Sequence, residues 1–265
     1  MALTQLCDVK ARLGITSTDY DDMINDMINA VSLGIENYCD RSFDVSDYIE
    51  EKEAMQYSIV LNNQPINKIY GAYYGDTNVI ELEYSGSGMC SYEVYTDKVV
   101  IYSDFVETEY LFADYTTLDD LATALNTHAD LTAEIADTNY SGWSPKLLWT
   151  GSQAFDYSGS SLYLQAPTSP ATLSKQFDGL YLTNSDTYHK VIYNGGYSSI
   201  PADLQEIATK ATVVLFNNRN QDGNKKSETI GDYSYTEETS VADGDIEEVI
   251  GPFVSALNKY VIKQI

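Results

Sequence analysis

The stretch YNGGYSSIPADLQEIATKATVVLFNNRN, residues 193–220, decides the fold. Gly195 and Gly196 permit a sharp turn, and Pro201 suits the first helical position, where a missing N–H costs nothing. Leu204, Ile207, Ala208, Ala211, Val214 and Leu215 then recur at three- and four-residue spacing, the mark of a helix with one buried face. Such a face needs partners, and the comparable helices lie at the other end of the chain.

Those helices fill the first fifty residues. In LTQLCDVKARLG, Thr4 can cap, Leu6, Val9 and Leu13 share a face, and Gly14 ends the helix. In the next stretch Thr18 and Asp21 form a capping-box pattern, with Asp in place of Glu. Tyr20, Met23, Ile24, Met27, Ile28, Val31, Ile35 and Tyr38 follow as a long apolar stripe, read as core. The terminal and late helices are short and marginal alone, which gives them a physical motive to pack together.

Between them the period changes to two. SIVLNNQPINKIYGAYY, NVIELEYS, SYEVYTDKVVIYS and TEYLF alternate apolar and polar residues between Gly, Asn and Asp breaks, as half-buried antiparallel strands do. Pro65 favours an edge or a strand start. A helix is signalled again at TTLDDLATALNTHADL, where Thr117 can cap and Leu118, Leu121 and Leu125 share a face, before strand-like pieces resume. Residues 104–187 carry only Lys146 and Lys175 against twelve Asp and Glu residues. They read as an acidic insertion with its own small core.

The expectation is therefore an α+β protein: a small helical bundle from both chain ends, with an antiparallel β region and a β-α-β insertion between them. The boundaries are 1–43 and 197–265 for the helical domain, 44–103 and 188–196 for the β region, and 104–187 for the inserted domain. NQDGNKKSETIGDYSYTEETSVADGD reads as a mobile loop or a loop with a short hairpin. IEEVIGPFVSALNKYVIKQI reads as helix interrupted by Gly251 and Pro252.

Bulk composition narrows the function. The 265 residues are 43% hydrophobic, ordinary for a globular protein, but 15 Lys+Arg against 40 Asp+Glu leave a net charge of −25. That balance disfavours wrapping nucleic acid, whose affinity comes mainly from Lys and Arg displacing counterions, and would repel a passing polyanion. A halophilic origin would produce the same charge. Cys7, Cys39 and Cys90 have no CxxC spacing and read as buried free thiols. The N-terminus has no apolar signal region and no apolar run reaches membrane-spanning length, so a cytosolically made protein without a membrane role is expected.

Candidate chemistry is sparse. His128 and His189 stand apart from any Cys, Ser or carboxylate pattern, and no GxSxG, HExxH, P-loop or GxGxxG motif occurs. No catalytic residue, metal site or cofactor is expected. Glu81 and Glu83, two apart on a strand, could pair as in a glycan-cleaving enzyme, but the same spacing describes a solvated strand face. Asn218, Asn220, Asp222 and Gly223 approach an EF-hand until the bidentate position falls on Thr229, which rejects calcium. The 23 tyrosines suit strand cores, protein interfaces and sugar binding alike, so a carbohydrate-binding or tail-accessory module is the second functional class.

The opening segment resembles that of the tailed-phage head–tail connector (adaptor, or head-completion) proteins: a short helix, an acidic turn, then a long helix ending at Tyr38, Cys39, Arg41, Ser42 and Phe43. A Pro-Ile step follows, carried by Gln64, Pro65 and Ile66. Gly196, Tyr197, Ile200, Pro201, Asn218 and Arg219 resemble the family's second signature, and IEEVIGPFVSALNKY its last short helix. The resemblance covers about 1–102 and 188–265 and implies a non-enzymatic virion protein at the neck of the portal vertex. It would form a homo-oligomeric, usually dodecameric, ring between the portal protein and the tail or the next neck ring. DNA would pass through the channel without specific binding. It also implies portal contact through Phe253, Leu257, Lys259, Tyr260, Ile262, Lys263 and Ile265.

Overall fold

Periodicity in the sequence becomes two compact units in the computed structural model, which describes residues 2–156, 159–177, 179–183, 187–218, 227–230, 233–236 and 249–262. One unit comprises 1–46, 62–67 and 195–265; the other comprises 47–61 and 68–194.

The first unit is helical. Its helices are α1 (Leu6–Leu13), α2 (Asp21–Cys39), α4 (Ala202–Asn218) and α5 (Val254–Leu257); α3 (Leu118–Leu125) belongs to the second unit. Helices from the two chain ends do pack together: Val31, Ile35 and Cys39 of α2 share a core with Leu204, Ile207, Ala208 and Ala211 of α4 and with Leu257 of α5. Val9, Ile24, Ile28 and Phe216 make a second cluster. The α1–α4 seam is also polar. Thr4 meets Thr209 at 2.6 Å, Gln205 donates to Asp8 at 2.8 Å, and Arg12 pairs with Glu206.

The helix ends differ in detail from expectation. Gly14 closes α1 in the left-handed region at φ 69°, as its sequence position predicts. Thr4, however, is buried against Thr209 instead of capping, and Gln5 holds the N-cap position. No capping box forms at Thr18 and Asp21; the Asp21 carboxylate takes the Lys10 ammonium at 2.5 Å. Pro201 stands one residue before α4, its carbonyl accepting the first helical N–H from Gln205 at 2.9 Å. Tyr20 and Met23, read as core, are 39% and 41% exposed, because the line of α2 that faces inward is Ile24, Ile28, Val31, Ile35 and Cys39.

The second unit is built from strands. One sheet runs β1 (Ser46–Glu53), β14 (Tyr188–Gly195), β3 (Ile66–Tyr74), β11 (Ser169–Pro170), and another β10 (Ser160–Ala166), β4 (Thr77–Tyr84), β8 (Leu131–Ile135). A third runs β12 (Leu173–Phe177), β13 (Leu180–Thr183), β2 (Ser58–Val60), and a fourth β7 (Val106–Leu111), β6 (Lys98–Ser103), β5 (Cys90–Val94), β9 (Gly151–Ala154). Strand β4 pairs antiparallel with both β10 and β8. Helix α3 is capped by Thr117 as its sequence signals, and Asp120 completes a capping box: Thr117 Oγ1 accepts from Asp120 N–H at 3.1 Å, and the Asp120 carboxylate accepts from Thr117 N–H at 3.0 Å.

Segment 104–187 shares a core with the strands before it and does not close a private one. Leu118, Leu121 and Leu125 of α3, Leu131 of β8 and Leu164 of β10 pack in one cluster with Val79, Ile80, Leu82, Val99 and Ile101. The reason is pairing: β8 and β10 flank β4, so their inward residues meet its inward residues. A hairpin of β15 (Ser227–Ile230) and β16 (Tyr233–Thr236) lies within the stretch read as a loop with a short hairpin.

Candidate functional site

The densest assembly of residues singled out in the sequence lies just after α2, in the helical unit. Helix α2 ends because Asp40 turns left-handed at φ 51°, with its N–H on Asn37 and that of Arg41 on Glu36. The Glu36 carboxylate then reaches past the helix end and accepts the Phe43 N–H at 3.1 Å. Asn63 Oδ1 accepts the Ser42 N–H at 2.9 Å, which ties 62–67 to the same point. The extended turn delivers Arg41 and Phe43 side by side.

Arg41 is almost fully buried, and its guanidinium lies 5.0 Å from the Phe43 ring centroid and 5.7 Å from that of Tyr197. One of its N–H groups donates to the Gln64 carbonyl. A planar cation against two mutually stacked rings is a strong arrangement when desolvated, and Arg suits it better than Lys. Tyr197 reaches this position through backbone: its N–H donates to Phe43 O at 3.0 Å, while Gly196 N–H is shared between Asn63 O and Pro65 O. Gly196 has φ 97°, and a Cβ there would collide with the Asp44 carbonyl. No other residue fits.

The turn after α5 completes the junction. Tyr260 meets Phe43 edge-on at 5.7 Å and Tyr197 at 6.4 Å, and its hydroxyl donates to Asp203 Oδ1 at 2.8 Å. The other Asp203 oxygen takes Lys259. Tyr38 OH donates to Asn258 at 2.7 Å. Burial, then the Asp203 carboxylate, raises the Tyr260 phenol well above its usual range. Burial likewise pushes the Cys39 thiol up to about 11, against a smaller opposing pull from Arg41. These groups are inert at neutral pH and hold position; they do not exchange protons.

Tyr38, Arg41, Phe43, Gly196 and Tyr197 thus converge, with Pro201 at the start of α4 nearby in sequence; Arg219 lies outside the described residues. The residues expected to meet a portal divide differently. Leu257 and Tyr260 are buried in their own unit, Phe253 and Ile262 are half-buried, and Lys259 is exposed beside Asp203. Lys263 and Ile265 lie outside the described residues. Sequence reasoning missed Glu36, Asn63 and Asp203, which hold the junction together, because single polar residues in loops and first turns give no periodic signal.

In the β unit, Glu81 and Glu83 share a strand face, as their spacing dictates. Glu81 accepts from Tyr163 OH at 3.1 Å and Glu83 is exposed opposite Ser161 and Thr132. His189 is fully buried: Nδ1–H donates to Thr187 O at 2.6 Å, leaving Nε2 to accept from Thr183 Oγ1 at 2.9 Å. Burial holds its pKa below the ordinary 6.5. His128 sits at a loop with Nδ1 on Ala129 O. A shallow cleft near Trp149 is lined by Tyr92, Tyr163 and Gln165, but Trp149 Nε1 donates to Gly75 O and Tyr92 OH to Tyr163 O. The aromatic polar ends there serve the chain itself.

Among the described residues no group of three or more His, Cys, Asp or Glu could hold a metal ion, and no helix is long and apolar enough to cross a membrane. What the fold defines is an α+β scaffold whose conspicuous feature is an internal lock of aromatic rings around one arginine. Residues 3–84 match the family model described as phage gp6-like head-tail connector protein. The match runs from the start of the chain to the end of β4 and includes Tyr38, Arg41 and Phe43. The first part of this chain is therefore similar to phage head–tail connector proteins, which are structural components of virions. No curated protein matches the chain.

Proposed function

We propose that the chain is a structural virion protein that forms a ring between the portal and the tail and continues the DNA channel. The observation that carries this reading is the match over 3–84, which ends beyond the arginine–aromatic junction and so contains its first two members, Arg41 and Phe43. The protein acts by shape and contact, without a reaction. A ring of this kind uses heterologous contacts, in which one surface meets a different surface on the next copy, and closure at twelve copies matches a dodecameric portal. The net charge of −25 supports a channel wall along which DNA slides without sticking.

Portal contact falls to the outward side of 249–262. With Leu257 and Tyr260 holding α5 to its own unit, the groups open to a partner there include Lys259, Ser255, Ala256 and the half-buried Phe253 and Ile262. Mass photometry of the purified chain, alone and with the purified portal ring, tests the reading. A chain that joins the portal at about one copy per portal subunit supports it, and Ala256→Arg should abolish joining while leaving the fold intact. A chain that never joins the portal overturns it.

A further inference from the structure

The tip of the β6–β7 hairpin breaks two folding rules at once. Ser103 and Val106 pair across a two-residue turn, so Asp104 and Phe105 must both take positive φ, at 49° and 66°. Such turns select Asn-Gly or Asp-Gly because a side chain in the left-handed region is strained, and an aromatic is among the least suitable choices. Phe105 is also 94% exposed, the most exposed large apolar side chain among the described residues. Val106 beside it is 62% exposed. Met89, whose carbonyl accepts the Asp104 N–H at 3.1 Å, is 67% exposed.

The same geometry recurs once among the described residues, and the contrast is informative. Gln56 and Tyr57 also take φ 50° and 66°, but the Tyr57 carbonyl accepts the Thr183 N–H at 2.8 Å and so anchors the turn to β13. At Phe105 the ring contributes almost nothing to burial, and glycine would suit the backbone better. A residue that is unfavourable for the turn and idle in the core is kept for contact with something else.

We propose that this tip is a docking finger: Phe105, supported by Val106 and Met89, inserts into an apolar pocket on another protein, and that pocket is ringed by Lys and Arg. Charge selects the partner. Asp104 and Glu107 flank the apolar tip, whereas Lys98, the one basic residue from 85 to 112, pairs with Glu109 towards the opposite end of the hairpin. An equally acidic tip, a nucleic acid or an anionic lipid surface would be repelled by these flanking carboxylates. A central aromatic with a charged rim is the usual anatomy of a contact that carries most of its binding energy at one residue.

The proposal rests on the virion reading for its setting, and assembled particles test it. Phe105→Gly should leave thermal stability equal to or above that of the parent, since glycine relaxes the turn, while completed particles fall about tenfold or more. Asp104→Asn with Glu107→Gln should weaken completion less and reduce its sensitivity to salt. A photoreactive benzophenone at position 105, irradiated in purified particles, should crosslink to a different protein at a peptide bearing apolar and basic residues. Crosslinks to a second copy, no crosslinks at all, or an unchanged particle yield with Phe105→Gly would each overturn the finger. A parent chain absent from particles is a separate result: it removes the connector reading and the proposed partner with it.

Discussion

The two units bury a cation in opposite ways. In the helical unit Arg41 lies beside the mutually stacked rings of Phe43 and Tyr197 and donates to the Gln64 carbonyl. In the β unit Lys190, fully buried, pairs with Glu51 at 2.9 Å, donates to the Leu148 carbonyl and lies 5.7 Å from the Trp149 ring. The Glu51 carboxylate also accepts from Thr150 N–H at 3.0 Å and Thr150 Oγ1–H at 2.6 Å. A guanidinium spreads its charge and tolerates a ring environment; an ammonium is compact, and its desolvation has to be offset by an anion. Burial accordingly lowers the Lys190 pKa, while Glu51 pulls it back. The Arg41 guanidinium lies against aromatic rings, whereas the Lys190 ammonium lies against a carboxylate as well as a ring.

The largest effect should come from breaking that pair. Glu51→Leu strands a buried ammonium and should destabilise the β unit by about 3–5 kcal/mol, while the double variant Glu51→Leu/Lys190→Met should recover most of the loss. Urea unfolding of the three proteins checks this, and a double variant no better than the single would refute the ion-pair account. Next in size is Gly196→Ala in the helical unit, expected to lose about 3 kcal/mol because the Cβ meets the Asp44 backbone at positive φ. Hydrogen exchange should show the loss concentrated in 1–46 and 195–218. Arg41→Lys should lose about 1–2 kcal/mol by replacing a stacked plane with a point charge. An unchanged midpoint would mean that the rings hold without the cation.

The smallest effect separates the units by pH. His189 in the β unit has its pKa lowered from 6.5 by burial, so the unfolded chain takes up the proton more readily. The stability of that unit should fall as pH drops through 6.5, and stay flat above it. In the helical unit Asp203 is lowered from 3.8 by its hydrogen bond from Lys259 and then by that from Tyr260. Its contribution is present above 3.8 and is lost only below, and partial exposure keeps it under about 1 kcal/mol. Between pH 7 and 5, exchange protection should therefore weaken in the β unit first, and His189→Gln should blunt that response.

Local regularity was legible in the sequence and convergence was not. Helices α1, α2 and α4 follow from apolar spacing, and the α3 N-cap from Thr117, because these signals lie within one or two turns. The convergence of Arg41, Phe43, Tyr197 and Tyr260 depends on backbone contacts across more than 150 residues, and no window holds it. Leu257 and Tyr260 illustrate the ambiguity: an apolar face on a short helix reads the same whether it meets its own chain or a partner. Lys190 hides for another reason. It sits between buried His189 and Val191 in a strand covered on both faces, where alternation gives no warning of a buried charge.

The division of the helical unit between the chain ends also governs the order in which it can be made. Helices α1 and α2 leave the ribosome early, but α4, which covers their apolar line, begins only at Ala202. At about 5–20 residues per second, α2 waits roughly 10–30 s for its partner. For that interval Ile24, Ile28, Val31 and Ile35 have no mature core to enter, while the intervening β unit can already pair its own strands. The nascent chain therefore exposes the apolar line of α2 well before its cover is made, which makes the α1–α2 pair the natural client of a chaperone during synthesis.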